Sequence, residues 1–160
     1  MPIDCFCKID GVTSESQHVN HVGDIDVTSW SWDATQPSSI GSGVAGNAKG
    51  KAVPGVFQFA HRYDKASPTI AQYCASGKHF SNIVASACQA GDGQKDFLTV
   101  TMDDCMIVSV APSANSGGEV MESVCLAYNK IKWEYKPMDA QGNLGGSVTL
   151  TWNVLTTEVS

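Results

Sequence analysis

Along the chain, short runs of alternating apolar and polar residues are separated by stretches rich in glycine, serine and asparagine. Alternation with a period of two marks a strand with one buried face. Residues 3–9, IDCFCKI, form the first such run and put Cys5 and Cys7 on one face. A polar, turn-like stretch covers 10–23, and a second strand is predicted over about 24–34. In it Trp30 and Trp32 share one face, while Ser29, Ser31 and Asp33 share the other. Ile25 and Val27 have the parity of the serines, not of the tryptophans. The strand therefore carries a bulge, or one face changes from buried to open along its length.

A loop rich in Gly, Ser and Ala runs from about 35 to 54, long for a compact domain. The third strand, VFQFAHRYD, sets Phe57, Phe59 and Tyr63 against Gln58, Ala60 and Arg62. Next comes SPTIAQYCASG, which reads as a short helix. Ser67 suits the N-cap, Pro68 the first helical position and Gly77 the left-handed stop. Ile70, Tyr73 and Cys74 fall on one side of it and are expected to dock on a sheet. Strands over 79–90 and 96–111 form a hairpin about GDGQ. A long strand follows over 119–136. Its apolar positions are even at Val124, Leu126 and Tyr128 but odd at Ile131, Trp133 and Tyr135, which predicts a bulge near Asn129 or Lys130. The last strand, SVTLTWNVL, alternates cleanly. The fold class is mainly β: a barrel or sandwich of about seven or more strands with one short flanking α-helix. The 160 residues suit a single domain over 1–160.

Composition narrows the function. Charged residues make up 16% of the chain and the net charge is −6. A scattered set of ten Lys and Arg argues against a nucleic-acid partner and against an anionic membrane surface. No apolar run is long enough for membrane insertion by a helix, and MPIDCFCKID lacks the regions of a signal peptide. Synthesis in the cytoplasm follows, with free thiols expected for the six cysteines.

The candidate chemistry is thin. GSGVAG at 41–46 has the glycine spacing of a dinucleotide loop but is not followed by a helix. His18 and His21 lack the glutamate and the helix of a zinc-protease motif. Cys74 and His79 have no orienting partner or oxyanion hole in view. No catalytic residue, cofactor or metal is expected on these grounds.

The order and spacing of IDVTSWSWDATQ, DKASPTIAQYCASGKHF, the strand ending in Tyr135, Lys136 and Pro137, and the terminal Trp152 and Asn153 resemble the haemolysin-coregulated protein (Hcp) family over about residues 2–157. These are tube proteins of the type VI secretion system. The departures are the loop at 38–53 and the number of cysteines. The resemblance implies a homo-hexameric ring with a wide channel. It implies rings stacked into a tube inside a contractile sheath, a VgrG-type spike at the tip, and small effector proteins as lumen cargo. It implies secretion without a signal peptide. In such a ring Ser29, Ser31 and Asp33 are assigned to the cargo-facing wall. Gly41, Gly43, Gly46, Lys49, Gly50 and Lys51 are assigned to a loop that contacts a neighbouring ring or subunit. The competing readings are a monomeric β-domain that binds ligands on exposed tryptophans, and an enzyme using Cys74 and His79.

Overall fold

The computed structural model describes residues 2–38, 51–90 and 95–160. Its elements are β1 (Ile3–Ile9), β2 (Ile25–Ser31), β3 (Ala34–Thr35), β4 (Val53–Pro54), β5 (Phe57–Arg62), α1 (Ser67–Ser76), β6 (His79–Gln89), β7 (Asp96–Ser113), β8 (Met121–Tyr135), β9 (Val148–Asn153) and β10 (Glu158–Val159). Six of these strands close on themselves in the order β8-β5-β2-β1-β6-β7, with β7 pairing back to β8. Closure removes the free edges that an open sheet would leave. It is possible because β7 is 18 residues long and β8 is 15. The first half of β8 pairs with β5 and its second half with β9, while β7 runs alongside both. β9 and β10 thus extend the sheet beyond the barrel, and β3 pairs with β4 in a separate ribbon.

The side chains that fill the barrel follow the predicted alternation, including Cys7, Ile25, Phe57, Phe59, Val124 and Leu126. Burial of each large apolar side chain contributes roughly 1.5–3 kcal/mol. The parity conflict in β2 resolves as a bulge. Val27 pairs with His61 but Ser29 with Ala60, so Thr28 is the extra residue, and its hydroxyl donates to the Ala60 carbonyl at 2.9 Å. Ile25 and Val27 before it and Trp30 and Trp32 after it all pack on the core. Ser29 and Ser31 are exposed.

The phase change in β8 lies where the sequence places it, but it is not a one-strand bulge. Tyr128 and Ile131 both pack inward, opposite Cys105 and Met102 of β7, and β6 makes the same change between Phe80 and Ile83. One extra residue in each of three neighbouring strands makes a crease across the sheet and leaves the register intact. Asp104 takes a left-handed φ of 49° in it, a conformation that Asp tolerates, and accepts a hydrogen bond from the Asn129 amide.

The helix is as predicted at its end and different at its start. Gly77 has φ 68° and ψ 31°, the Gly77 N–H donates to Cys74 O, and the Lys78 N–H donates to Tyr73 O. Ser67 is not the cap. It is buried, and its hydroxyl accepts from the Asp64 N–H at 3.1 Å, while Asp64 Oδ1 accepts from the Ala66 N–H at 2.9 Å. The N-cap position falls on Ala66, which has no capping side chain, and Asp64 instead orders the turn that precedes the helix. Tyr63 lies just past the end of β5 and is exposed rather than inward, and His61 takes the inward position at 0% exposure.

The polar stretch 10–23 folds over the outer face of β1 and β6. Ser14, Ser16 and His21 are buried in it, and the His21 ring stacks on Phe6 at 4.3 Å.

Candidate functional site

The outward face of β2, β5, β8 and β7 is built from small neutral residues. Its register gives two rows. Ser31 lies beside Gln58, then Cys125, then Ser109; Ser29 lies beside Ala60, then Ser123, then Ala111. Each of these residues is exposed or half-buried, and each alternates with a core residue on its own strand. Neither row carries an ionised side chain. The face offers hydroxyls, an amide and methyl groups, which give weak hydrogen bonds and contact area without strong commitment to one ligand. At the strand ends the charge returns, with Arg62 Nε 3.0 Å from Glu119 on the surface.

Behind this face stand the tryptophans. Trp133 lies between Trp30 and Trp32, with ring centroids 5.6 and 5.0 Å away, and Trp32 meets Trp152 edge-on at 6.5 Å. Trp32 Nε1 donates to the Tyr128 hydroxyl at 2.6 Å, which donates to the Gly55 carbonyl at 2.6 Å. Burial raises the Tyr128 pKa above its ordinary value even though Trp32 donates to it. The indoles are engaged with one another, so they do not offer an open stacking platform.

Of the residues singled out from sequence, Ser29 and Ser31 share the outward face. Asp33 lies past the end of β2 and turns toward Gly55: its Oδ1 is 1.7 Å from where a Gly55 Cβ would stand, and the Gly55 N–H donates to its carbonyl at 2.7 Å. Glycine at 55 leaves room for the Asp33 carboxylate to take this orientation, and a Cβ there would stand 3.2 Å from the Asp33 carbonyl oxygen. Gly41, Gly43, Gly46, Lys49 and Gly50 lie outside the described residues, whereas Lys51 is exposed near the base of the β3–β4 ribbon. Cys74 packs on the core and His79 Nδ1 faces Asp104 at 3.8 Å, so neither is turned to the other's use. Sequence reading missed Gln58, Ser109, Ser123 and Cys125 on the small neutral face. The signal was their parity opposite Phe57, Val110, Val124 and Leu126, which becomes a shared face only once the register, and the shift between Ile107 and Ser109, are known.

It also missed two polar clusters that hold the scaffold. His61 Nε2 meets Glu122 Oε1 at 2.8 Å inside the barrel, and His61 Nδ1 is 3.8 Å from Asp64. Asp64 accepts from the Ser14 hydroxyl as well, so the network reaches the 10–23 stretch. His21 bonds Asp24 and Asp96, each at 2.9 Å. Its burial opposes charging, but hydrogen bonds and charges from Asp96 and Asp24 outweigh this and raise its pKa.

The family model for the type VI secretion system effector Hcp matches residues 6–135. The chain belongs to the Hcp family. The Hcp1 protein of Pseudomonas aeruginosa is 34% identical over 158 residues, with 96% of each chain covered. A solved structure of a type six secretion system protein superposes with a TM-score of 0.92 at 26% identity, covering 99% of this chain and 100% of the other. Hcp1 from Salmonella typhimurium gives 0.82 at 32% identity, with 100% of both chains covered. This chain is thus a type VI secretion tube protein with a closed six-stranded β-barrel and extra strands. Among the described residues no helix is long and apolar enough to cross a membrane.

Proposed function

We propose that this Hcp chain, one domain over 1–160, assembles as a homo-hexameric ring whose channel wall is the small neutral face of β2, β5, β8 and β7. The observation that carries the reading is that face itself: two sheet rows of Ser, Ala, Gln and Cys, laid over an aromatic core in a chain of a tube-protein family. A water-filled conduit for varied cargo needs a surface that wets without gripping, and small hydroxyl and methyl groups provide it. Ser29 and Ser31 sit on the cargo-facing surface, and Asp33 stands at its rim. The subunit contacts fall to the sheet extension made by the end of β8 with β9 and β10, where Tyr135, Val148 and Val159 are 47%, 67% and 61% exposed. Apolar side chains on an extended sheet edge are natural joining surfaces.

Rings stack into a tube through the segment containing Gly41, Gly43, Gly46, Lys49, Gly50 and Lys51, whose base is the β3–β4 ribbon. The partners are a contractile sheath, a VgrG-type spike and small effector proteins held in the lumen. The protein is made in the cytoplasm, exported with the tube, and acts as a structural part rather than an enzyme. Electron microscopy of the purified chain tests this reading. Six-fold rings with an open centre support it, and particles without a hole refute it.

A further inference from the structure

We propose that Asp4, His18 and Cys88 form a binding site for one zinc-type divalent cation, which clamps the 10–24 segment onto the outer face of β1 and β6. The site stands apart from the small neutral face and does not depend on ring assembly.

The ladder creates half of it. Asp4 of β1 is the direct partner of Cys88 of β6, so their side chains stand next to each other on one face. Cys88 sits at the register shift where Ala87 pairs with Leu98 but Cys88 with Asp96, at the end of β6. The third group comes from above. Backbone hydrogen bonds from Ser14 N to Gly23 O and from Gly23 N to Ser16 O close the overlying segment, and the His21 ring anchors it to Phe6, Asp24 and Asp96. His18 is thereby held over the pair. Its Nε2 lies 3.9 Å from Cys88 Sγ, and the donor atoms of all three residues lie within 4.8 Å of one another.

A small tetrahedral ion draws such donors together by side-chain adjustment. With zinc about 2.3 Å from sulfur and about 2.0 Å from nitrogen, the two donors stand about 3.5 Å apart. An inward movement of a few tenths of an ångström by His18, which is half-buried, brings Nε2 to that distance from Cys88 Sγ, and rotation of the half-buried Asp4 side chain must bring its carboxylate, now within 4.8 Å of both, to about the same separation. Thiolate, imidazole and carboxylate together select a borderline ion such as Zn²⁺ over the hard ions Ca²⁺ and Mg²⁺, which take oxygen ligands. The charges balance: a dication, one thiolate and one carboxylate sum to zero, and the Cys88 proton goes to solvent. Beside the cluster lies a cavity of about 360 Å³ that Asp4 and His18 line together with Ser16 and Gln17, a source of water for the fourth position. A water completes the tetrahedron there. Binding through Nε2 puts the imidazole proton on Nδ1 and gives up the 3.3 Å contact from the Asn20 N–H, which lies at the surface and turns to water.

Cobalt(II) titrated into the full-length, chelator-treated protein with a phosphine reductant is the direct probe. The expected result is one ion per chain, a thiolate-to-cobalt charge-transfer band, the intense visible bands of tetrahedral cobalt, and displacement by zinc. Cys88→Ala abolishes the charge-transfer band while Cys74→Ala keeps it. Asp4→Asn and His18→Asn each weaken binding by more than the roughly 10–100-fold that loss of an outer-shell partner costs. Zinc also slows amide hydrogen exchange across 12–20. No cobalt uptake by the parent protein, or a charge-transfer band that survives Cys88→Ala, overturns the site. If Cys88→Ala does not fold, parent-like affinity in both Asp4→Asn and His18→Asn overturns it equally. Uptake without slowed exchange overturns the clamp.

Discussion

Glu122→Ala is the most informative single change in the barrel. The Glu122 and His61 side chains are 1% and 0% exposed and bond each other at 2.8 Å, between β8 and β5. Removing the carboxylate takes from the buried His61 Nε2 the partner it has in the core. Truncating one member of a buried pair of this kind costs about 3–5 kcal/mol. In a chain of this length each kcal/mol moves the midpoint of thermal unfolding by about 2–4 °C, so Tm falls by roughly 6–20 °C. Replacing both partners with apolar residues, His61→Leu with Glu122→Met, restores most of the loss, because the cost comes from the orphaned group and not from the absence of attraction. Urea unfolding followed by tryptophan emission at fixed protein concentration measures it, and a double-mutant cycle isolates the coupling. The concentration is held fixed because subunit association adds to apparent stability. A loss below about 1 kcal/mol for Glu122→Ala at unchanged m-value, or a double variant as weak as the sum of the singles, refutes the reasoning.

Four further outcomes follow from the same geometry. Ser31→Trp leaves ring assembly intact and lowers retention of a co-expressed effector in pull-down; dispersal of the rings contradicts its place on the channel wall. Deletion of 40–50 leaves single rings but impairs tube growth by electron microscopy, and normal tubes remove the stacking role from that segment. Burial, with Asp103 and Asp104 adding to it, pushes the Cys105 thiol up to about 12, and burial also raises Cys7; at pH 8 the folded protein keeps both unalkylated by mass spectrometry, and rapid labelling of either contradicts their placement. Gly77→Ala meets no atom within 4 Å, so the loss of about 1 kcal/mol it shows in urea comes only from holding φ near 68°; unchanged stability contradicts the left-handed helix stop.

Alternation of side chains made most of the strands legible, because each has one face in the barrel. Where the period broke, the chain signalled a disturbance without its form. In β2 the parity conflict between Val27 and Trp30 is a bulge at Thr28. In β8 the same kind of conflict is one line of a crease shared with β6 and β7, a fact that no single strand contains. Barrel closure was hidden for a related reason, since it depends on which half of β8 pairs with β5 and which with β9. His61 and Glu122 were visible as polar residues at inward positions, but 61 residues separate the partners. The Asp4, His18 and Cys88 cluster was still less accessible. Metal motifs are read from close spacing, and here Cys88 lies 70 positions from His18 and meets it only because the 10–23 stretch lies over the β1–β6 ladder. Ser67 misled for a local reason: the preceding turn takes its hydroxyl as an acceptor for the Asp64 N–H, and the cap position falls one residue earlier, on Ala66.

The central claim is the ring, and native mass of the untagged protein, measured over a wide concentration range with reductant present, tests it most directly. The account predicts a species of six times the 16.9 kDa chain. A monomer at every concentration would contradict it and leave the small neutral face of β2, β5, β8 and β7 as ordinary solvent-facing sheet.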